Sequence, residues 1–214
     1  MAVYDLEEQE QISALKGWWA QYGTLVTTLA TVAAVAVVGW QGWRWYQNRN
    51  ATEASAMYFA VEQAAERQDA QKARDVAGQL IGQQGGTTYA QLGALLAAGL
   101  QFEKGELDNA QAQLEWAADK GKDPALRDLA RLRLAAVLLQ KGEFDAALAR
   151  LSAAPVAGYQ ARFADLRGDV LAAQGKPAEA RAAYQAAIDA LSAADAQATT
   201  LREVVRLKLE SLEG

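Results

Sequence analysis

Between Lys16 and Arg44 the chain carries no charge for 27 residues, and that run constrains everything around it. As a helix it would rise roughly 40 Å at about 1.5 Å per residue, enough to cross a hydrocarbon core of about 30 Å. From Leu25 to Trp40 its only polar side chains are threonines, whose hydroxyls can bond back to the preceding helical turn. Trp18, Trp19 and Tyr22 precede this centre. Trp40, Trp43, Arg44, Trp45 and Tyr46 come after it, so aromatic belts stand where two headgroup layers would lie. A buried helix of a soluble domain would explain the apolarity but not the two belts. A cleaved signal peptide would open with basic residues, whereas Asp5, Glu7, Glu8 and Glu10 precede the single Lys16. The expected organisation is an acidic tail over 1–16, a retained transmembrane helix with its flanks over 17–46, and a soluble domain over 47–214.

That domain is long enough for a core of its own. Four of the 26 acidic and three of the 21 basic residues lie within residues 1–50, so the domain beyond them is mildly acidic. Interspersed charges of that balance give no reason to bind nucleic acid, and no polybasic cluster reinforces the anchor's own grip on the lipid bilayer. With no Cys and no His, the chain has no means of building zinc fingers, haem ligation, thiol redox centres or Ser-His and Cys-His catalytic pairs. Charge gives little on orientation: Arg44 and Arg49 lie after the span and Lys16 before it, which taken alone favours a cytoplasmic C-terminal side by one charge.

Beyond Asn50 the sequence is rich in Ala, Leu, Gln, Glu and Arg and poor in β-branched residues, which favours helix throughout. One pattern recurs three times. Gly105, Ala110, Leu114 and Ala117 are matched by Gly142, Ala147, Leu151 and Ala154, and by Gly175, Ala180, Tyr184 and Ala187. Each glycine would end a first helix in a left-handed cap; the alanines would let a second helix lie close against the first. Spacings of 37 and 33 residues bracket the 34 of a tetratricopeptide repeat. A degenerate copy is expected upstream, with Ala73 one 37-residue step before Ala110. The expected fold is all-α: a single N-terminal transmembrane helix, then a tetratricopeptide-like helical solenoid. Its repeats fall at roughly 51–86, 89–124, 125–158 and 159–192, with a capping helix over 195–212 to cover the open apolar face of the last repeat. An irregular alanine-rich bundle is the alternative.

A repeat stack works through the face lined by its first helices. Registering those helices on the glycines assigns Leu92, Leu95, Phe102, Leu129, Leu132 and Leu139 to that face, with Arg162, Asp165 and Asp169 at one end. Two readings stay open: a groove for an apolar helix or an unfolded segment, or ordinary core seen in a rotated register. Lys and Asn are missing from the positions that would form a carboxylate clamp. The pairs Glu106/Asp108 and Glu143/Asp145 recur at equivalent turns, as solvated helix-start residues do, and Asp165/Asp169 is a helical i,i+4 pair near Arg162 and Arg167. Asp123-Pro124 reads as a turn and helix start. Gly82-Gln-Gln-Gly-Gly has no Lys-Ser/Thr behind it, so it is no phosphate loop. No catalytic, metal or cofactor site is expected, and the chain reads as a non-enzyme.

The acidic tail, the span ending in Gly-Trp-Gln-Gly-Trp-Arg-Trp-Tyr, the degenerate repeats and the segment Phe163-Ala-Asp-Leu-Arg-Gly-Asp-Val-Leu-Ala-Ala-Gln-Gly-Lys together resemble the YfgM family of proteobacteria. That family is the ancillary subunit of the SecYEG translocon. The resemblance implies an inner-membrane protein with its N-terminus in the cytoplasm and its repeats in the periplasm, the reverse of the one-charge preference. Its implied partners are the translocon and a membrane-anchored periplasmic chaperone with a prolyl-isomerase-like domain. A link to envelope-stress signalling comes with the family too. Two functions are implied: a scaffold between translocon and periplasmic chaperones, or a regulatory adaptor that sequesters a stress-response signalling protein through the cytoplasmic tail. A self-assembling structural anchor is the plainest reading.

Overall fold

The computed structural model describes the backbone of residues 2–191 and 196–212, and the side chains of 10–45, 49–191 and 199–212. Nine α-helices occupy the described residues: α1 Ala2–Glu66, α2 Ala70–Gln84, α3 Thr88–Glu103, α4 Leu107–Lys120, α5 Pro124–Gln140, α6 Phe144–Arg150, α7 Gln160–Ala173, α8 Pro177–Asp189 and α9 Ala196–Ser211. A single 3-10 turn, Ala157–Tyr159, precedes α7. The expected all-α class is borne out, with no strand among the described residues. Two compact units make up the chain, Met1–Arg49 and Asn50–Gly214.

In the first unit the apolar side chains of the span lie bare. Trp18, Trp19, Tyr22, Val35, Val38 and Trp40 are all 42–69% exposed, which in water would be untenable for so contiguous a surface. Among the described helices, α1 alone is long and apolar enough to cross a membrane. Its threonines do bond back: Thr27 Oγ1 donates to the Gly23 carbonyl at 2.8 Å, Thr28 to Thr24 at 2.7 Å and Thr31 to Thr27 at 2.8 Å. Each hydroxyl is thus satisfied without water, as a helix in hydrocarbon requires.

The second unit is built from the recurring turn. Gly105, Gly142 and Gly175 sit at φ +76°, +74° and +74°, the left-handed region in which a Cβ would be strained. At each, two amides fold back on the helix end, as in Glu106 N to Gln101 O at 2.9 Å and Gly105 N to Phe102 O at 3.0 Å. Five residues past each glycine, Ala110, Ala147 and Ala180 are fully buried, which lets the paired helices approach closely. The same turn ends α1 with no glycine. Gln68 adopts φ +56°, Asp69 N reaches Ala64 O at 2.9 Å, and Ala73 is fully buried five residues on. A left-handed non-glycine costs about 1–2 kcal/mol, and glycine gives part of that back to the unfolded chain. Gln68→Gly is therefore expected to stabilise the domain by about 0.5–1 kcal/mol in urea unfolding.

One expectation fails locally. Ala154 belongs to the sequence pattern as a packed residue of the second helix, but α6 stops at Arg150 and Ala154 is exposed. Pro155 keeps Ala154 out of the helix, because a residue before proline is disfavoured in the α region. The released stretch of chain is captured by Asp128, a buried side chain whose Oδ2 accepts the Val156 amide at 2.7 Å while Oδ1 takes Arg131 at 3.0 Å. Capping elsewhere obeys composition: Asp69, Thr87 and Asp123 each accept an amide of the first turn, with Pro124 opening α5.

Candidate functional site

The first helices of the repeats, the last turn of α1 with α3 and α5, border a cavity of about 530 Å³. Its walls are mostly aliphatic, Leu95, Leu96, Phe102, Leu114 and Val137 among them, with Glu103 and Arg133 as the charged members. Helical spacing creates it. Leu95, Gly99 and Phe102 succeed one another at i, i+4 and i+7 along α3, and Arg133, Ala136 and Val137 face them from α5. Arg133 is held in position by a hydrogen bond from Nη1 to the Leu95 carbonyl at 3.2 Å.

Of the residues expected to line the working face, Leu95 and Phe102 border this cavity. Leu95 is buried; Phe102, Leu129, Leu132 and Leu139 are half-buried against the main core cluster, and Leu92 is half-buried. The cavity also draws on Leu96, Gly99 and Arg133, which the glycine-based register does not reach. A single step along α3 separates Leu95 from Leu96. The charge of Arg133 and the glycine at 99 are signals that could have found those two, whereas Leu96, as apolar as its neighbour, offers none.

At the other end, Arg162 is exposed, whereas Asp165 and Asp169 are already engaged. The Lys208 ammonium on α9 bridges them at 2.7 and 2.8 Å and lies 5.8 Å from the Tyr184 ring, and the Tyr184 hydroxyl donates to Asp169 at 2.8 Å. Leu201, Leu209 and Leu212 pack beside this cluster and Val205 is fully buried in it, so α9 closes the apolar end of α7 and α8. Nothing in local spacing joins Lys208 to a carboxylate 43 residues away.

Burial pushes the Asp165 carboxyl above its ordinary 3.8, against the pull of Lys208 and with Asp169 adding to the rise. For Lys208 burial acts downward, but its hydrogen bonds to both carboxylates outweigh it and the group is raised above 10.5. A raised carboxyl contributes stability below its unfolded value, and that contribution is lost as pH rises through the folded value. The Lys208 contribution is present below 10.5 and lost only in alkali. At neutral pH, then, Lys208 holds α9 while the charge on Asp165 is a net penalty. Asp165→Asn should match the parent at a pH of about 3 and exceed it at about 7 by under about 1 kcal/mol, the scale of partly exposed pairs. Thermal unfolding at both pH values checks this; a variant weaker at neutral pH contradicts it.

The remaining acidic candidates are structural. Asp108 pairs with Lys141 at 2.9 Å, Asp145 accepts Gln174 at 2.9 Å, and Glu106 accepts Asn109 at 2.9 Å. No group of metal-ligating side chains occurs among the described residues. Around the span, the Trp18 ring lies tilted against Tyr22 at 5.8 Å and Trp19 at 6.3 Å between centroids, and the Arg44 guanidinium lies 5.0 Å from the Trp40 ring. Trp43 and Trp45 are exposed, Trp45 with Arg49 at 5.7 Å. The side chains of Asp5, Glu7, Glu8 and Tyr46, and residue Asp195, lie outside the described residues.

Comparison with known proteins agrees with this architecture. Residues 16–214 match the family described as tetratricopeptide repeat-like domain. A relative from Neisseria gonorrhoeae named ancillary SecYEG translocon subunit is 31% identical, over 97% of this chain and 98% of its own. Proteins of the same name from Haemophilus influenzae and Escherichia coli are 28% and 29% identical. They cover 86% and 99% of this chain and 90% and 99% of their own.

Proposed function

The chain belongs to the YfgM family of ancillary SecYEG translocon subunits, and from that premise we propose a non-enzymatic, single-pass inner-membrane scaffold that links the translocon to periplasmic chaperones. The observation that carries the proposal is the near-complete overlap with the Neisseria protein, together with an apolar helix surface left bare by the described residues. In this reading the span docks beside the channel with residues 1–16 in the cytoplasm, and the repeats stand in the periplasm. The face formed by Leu92, Leu95, Phe102, Leu129, Leu132 and Leu139 then receives a polypeptide partner, a membrane-anchored chaperone with a prolyl-isomerase-like domain. Arg162, Asp165 and Asp169 would mark the end of that face, with the two carboxylates held by Lys208.

Orientation is tested by a single thiol. The chain has no cysteine, and Ala182 is exposed on α8, so Ala182→Cys offers one accessible site. A membrane-impermeant maleimide should label it in cells whose outer membrane alone has been opened. Labelling only after inner-membrane lysis overturns the orientation. The charge of the tail, four carboxylates ahead of Lys16, favours a second reading as a regulatory adaptor. Deleting residues 2–10 separates the two: stress signalling changes if the tail is the contact, and is untouched if the scaffold alone operates.

A further inference from the structure

The cavity over the middle of α3 has features that a mere packing defect would lack. Gly99 borders it, and a Cβ added there would meet no atom within 4 Å. Glycine inside a helix costs about 0.5–1 kcal/mol relative to alanine. At Gly99 that cost makes no room for a neighbour within the fold; it opens space toward the cavity. The volume of about 530 Å³ falls within the roughly 300–1,000 Å³ typical of ligand pockets.

Its charges narrow the occupant further. Arg133 is the one basic residue of the lining, and its hydrogen bond to the Leu95 carbonyl uses one nitrogen of a five-donor fork. It forms no ion pair among the described residues, whereas Arg131, Lys141, Arg150 and Lys208 all do. Glu103 lines the same cavity, so the site is neutral in sum. Both charged side chains reach solvent at the cavity's rim, and a fatty acid would complement Arg133 alone. A polypeptide carrying charges of both signs complements both.

We propose that this cavity is a socket for one large apolar side chain of a bound polypeptide segment, whose neighbouring carboxylate pairs with Arg133 and whose basic residue faces Glu103. The inference rests on the reading that this face receives a polypeptide, and it names what such a polypeptide must carry.

Fluorescence anisotropy on the full chain in nanodiscs tests it, with labelled alanine-based helical peptides bearing Asp, Phe and Lys one turn apart as probes. Changing Phe to Ala in the peptide should weaken binding at least tenfold. Gly99→Leu should weaken it equally while leaving the melting temperature unchanged or higher, because the new side chain fills the socket from a helix that tolerates it. Arg133→Gln should reduce binding of the Asp peptide to that of its Asn counterpart, and leave the Asn counterpart unaffected. Equal binding of the Phe and Ala peptides, or undiminished binding by Gly99→Leu, overturns the socket. Equal loss for the Asp and Asn peptides removes Arg133 from it. Dodecanoate binding that Gly99→Leu abolishes, with peptide binding intact, would assign the cavity to an acyl chain and overturn the proposal. Thiol labelling at Ala182 does not depend on the socket. If it succeeds while the peptides fail, this inference alone falls.

Discussion

Gly168→Ala should destabilise the repeat domain by about 2–3 kcal/mol, toward the upper end for an overpacked site. A Cβ built on Gly168 lies 2.4 Å from Cε1 and 2.5 Å from Cδ1 of Tyr184, far inside contact distance. The ring cannot yield freely: it is 3% exposed, its hydroxyl donates to Asp169 at 2.8 Å, and Lys208 lies over its face. The equivalent positions of the two preceding repeats carry the compensating pairs Ala98 with Leu114 and Ala135 with Leu151, all buried. Volume is conserved across the pair: a small residue becomes glycine where leucine becomes tyrosine. Gly168→Ala combined with Tyr184→Leu should therefore recover much of the loss, measured by urea unfolding of each variant. A double variant no more stable than Gly168→Ala would show that the pair is not coupled.

Gln91→Leu should cost about 1–3 kcal/mol, the penalty for stranding buried polar groups. Gln91 is fully buried on α3 and ties together groups distant in the chain. Its Nε2 donates to the Ala117 carbonyl at 3.1 Å and the Asp123 carbonyl at 3.3 Å, and its Oε1 accepts the Asp123 amide at 3.1 Å. Leucine has similar volume and none of these bonds. The turn between α4 and α5 would lose its tie, although Asp123 keeps its own cap on Leu126. Hydrogen exchange reads the effect directly: the Asp123 amide should exchange much faster in the variant, with amides near Leu134 tracking only the global change. Unaltered protection at Asp123 contradicts the assignment. The fit is close enough that a Cβ on Gly121 would lie 2.0 Å from the Gln91 amide nitrogen.

Much of this architecture is legible in the sequence because its causes are local. A run without charge and with aromatic ends announces the span, and glycine at a left-handed turn announces each repeat from Gly105 onward. Where another residue does the same work, the sign disappears: Gln68 makes the first turn without glycine. Ala154 is kept out of α6 by Pro155, a local signal that the repeating pattern around it obscures. Long-range polar contacts leave no trace at all. Gln91 to Asp123 and Lys208 to Asp165 span 32 and 43 residues, and neither obeys a helical or strand period. The working face is less legible for another reason. Leu95 and Leu96 are adjacent and equally apolar, so hydrophobicity alone leaves the rotation of α3 open by one residue, and only the packed neighbours fix it.

The uncovered surface of the span is expected to meet a protein channel within the bilayer. Val35 is 67% exposed at the middle of the apolar run. A photo-crosslinking amino acid placed there in intact cells should give an adduct with the translocon channel. Adducts confined to lipid or to a second copy of this chain, with the repeats still accessible from the periplasm, would contradict the account.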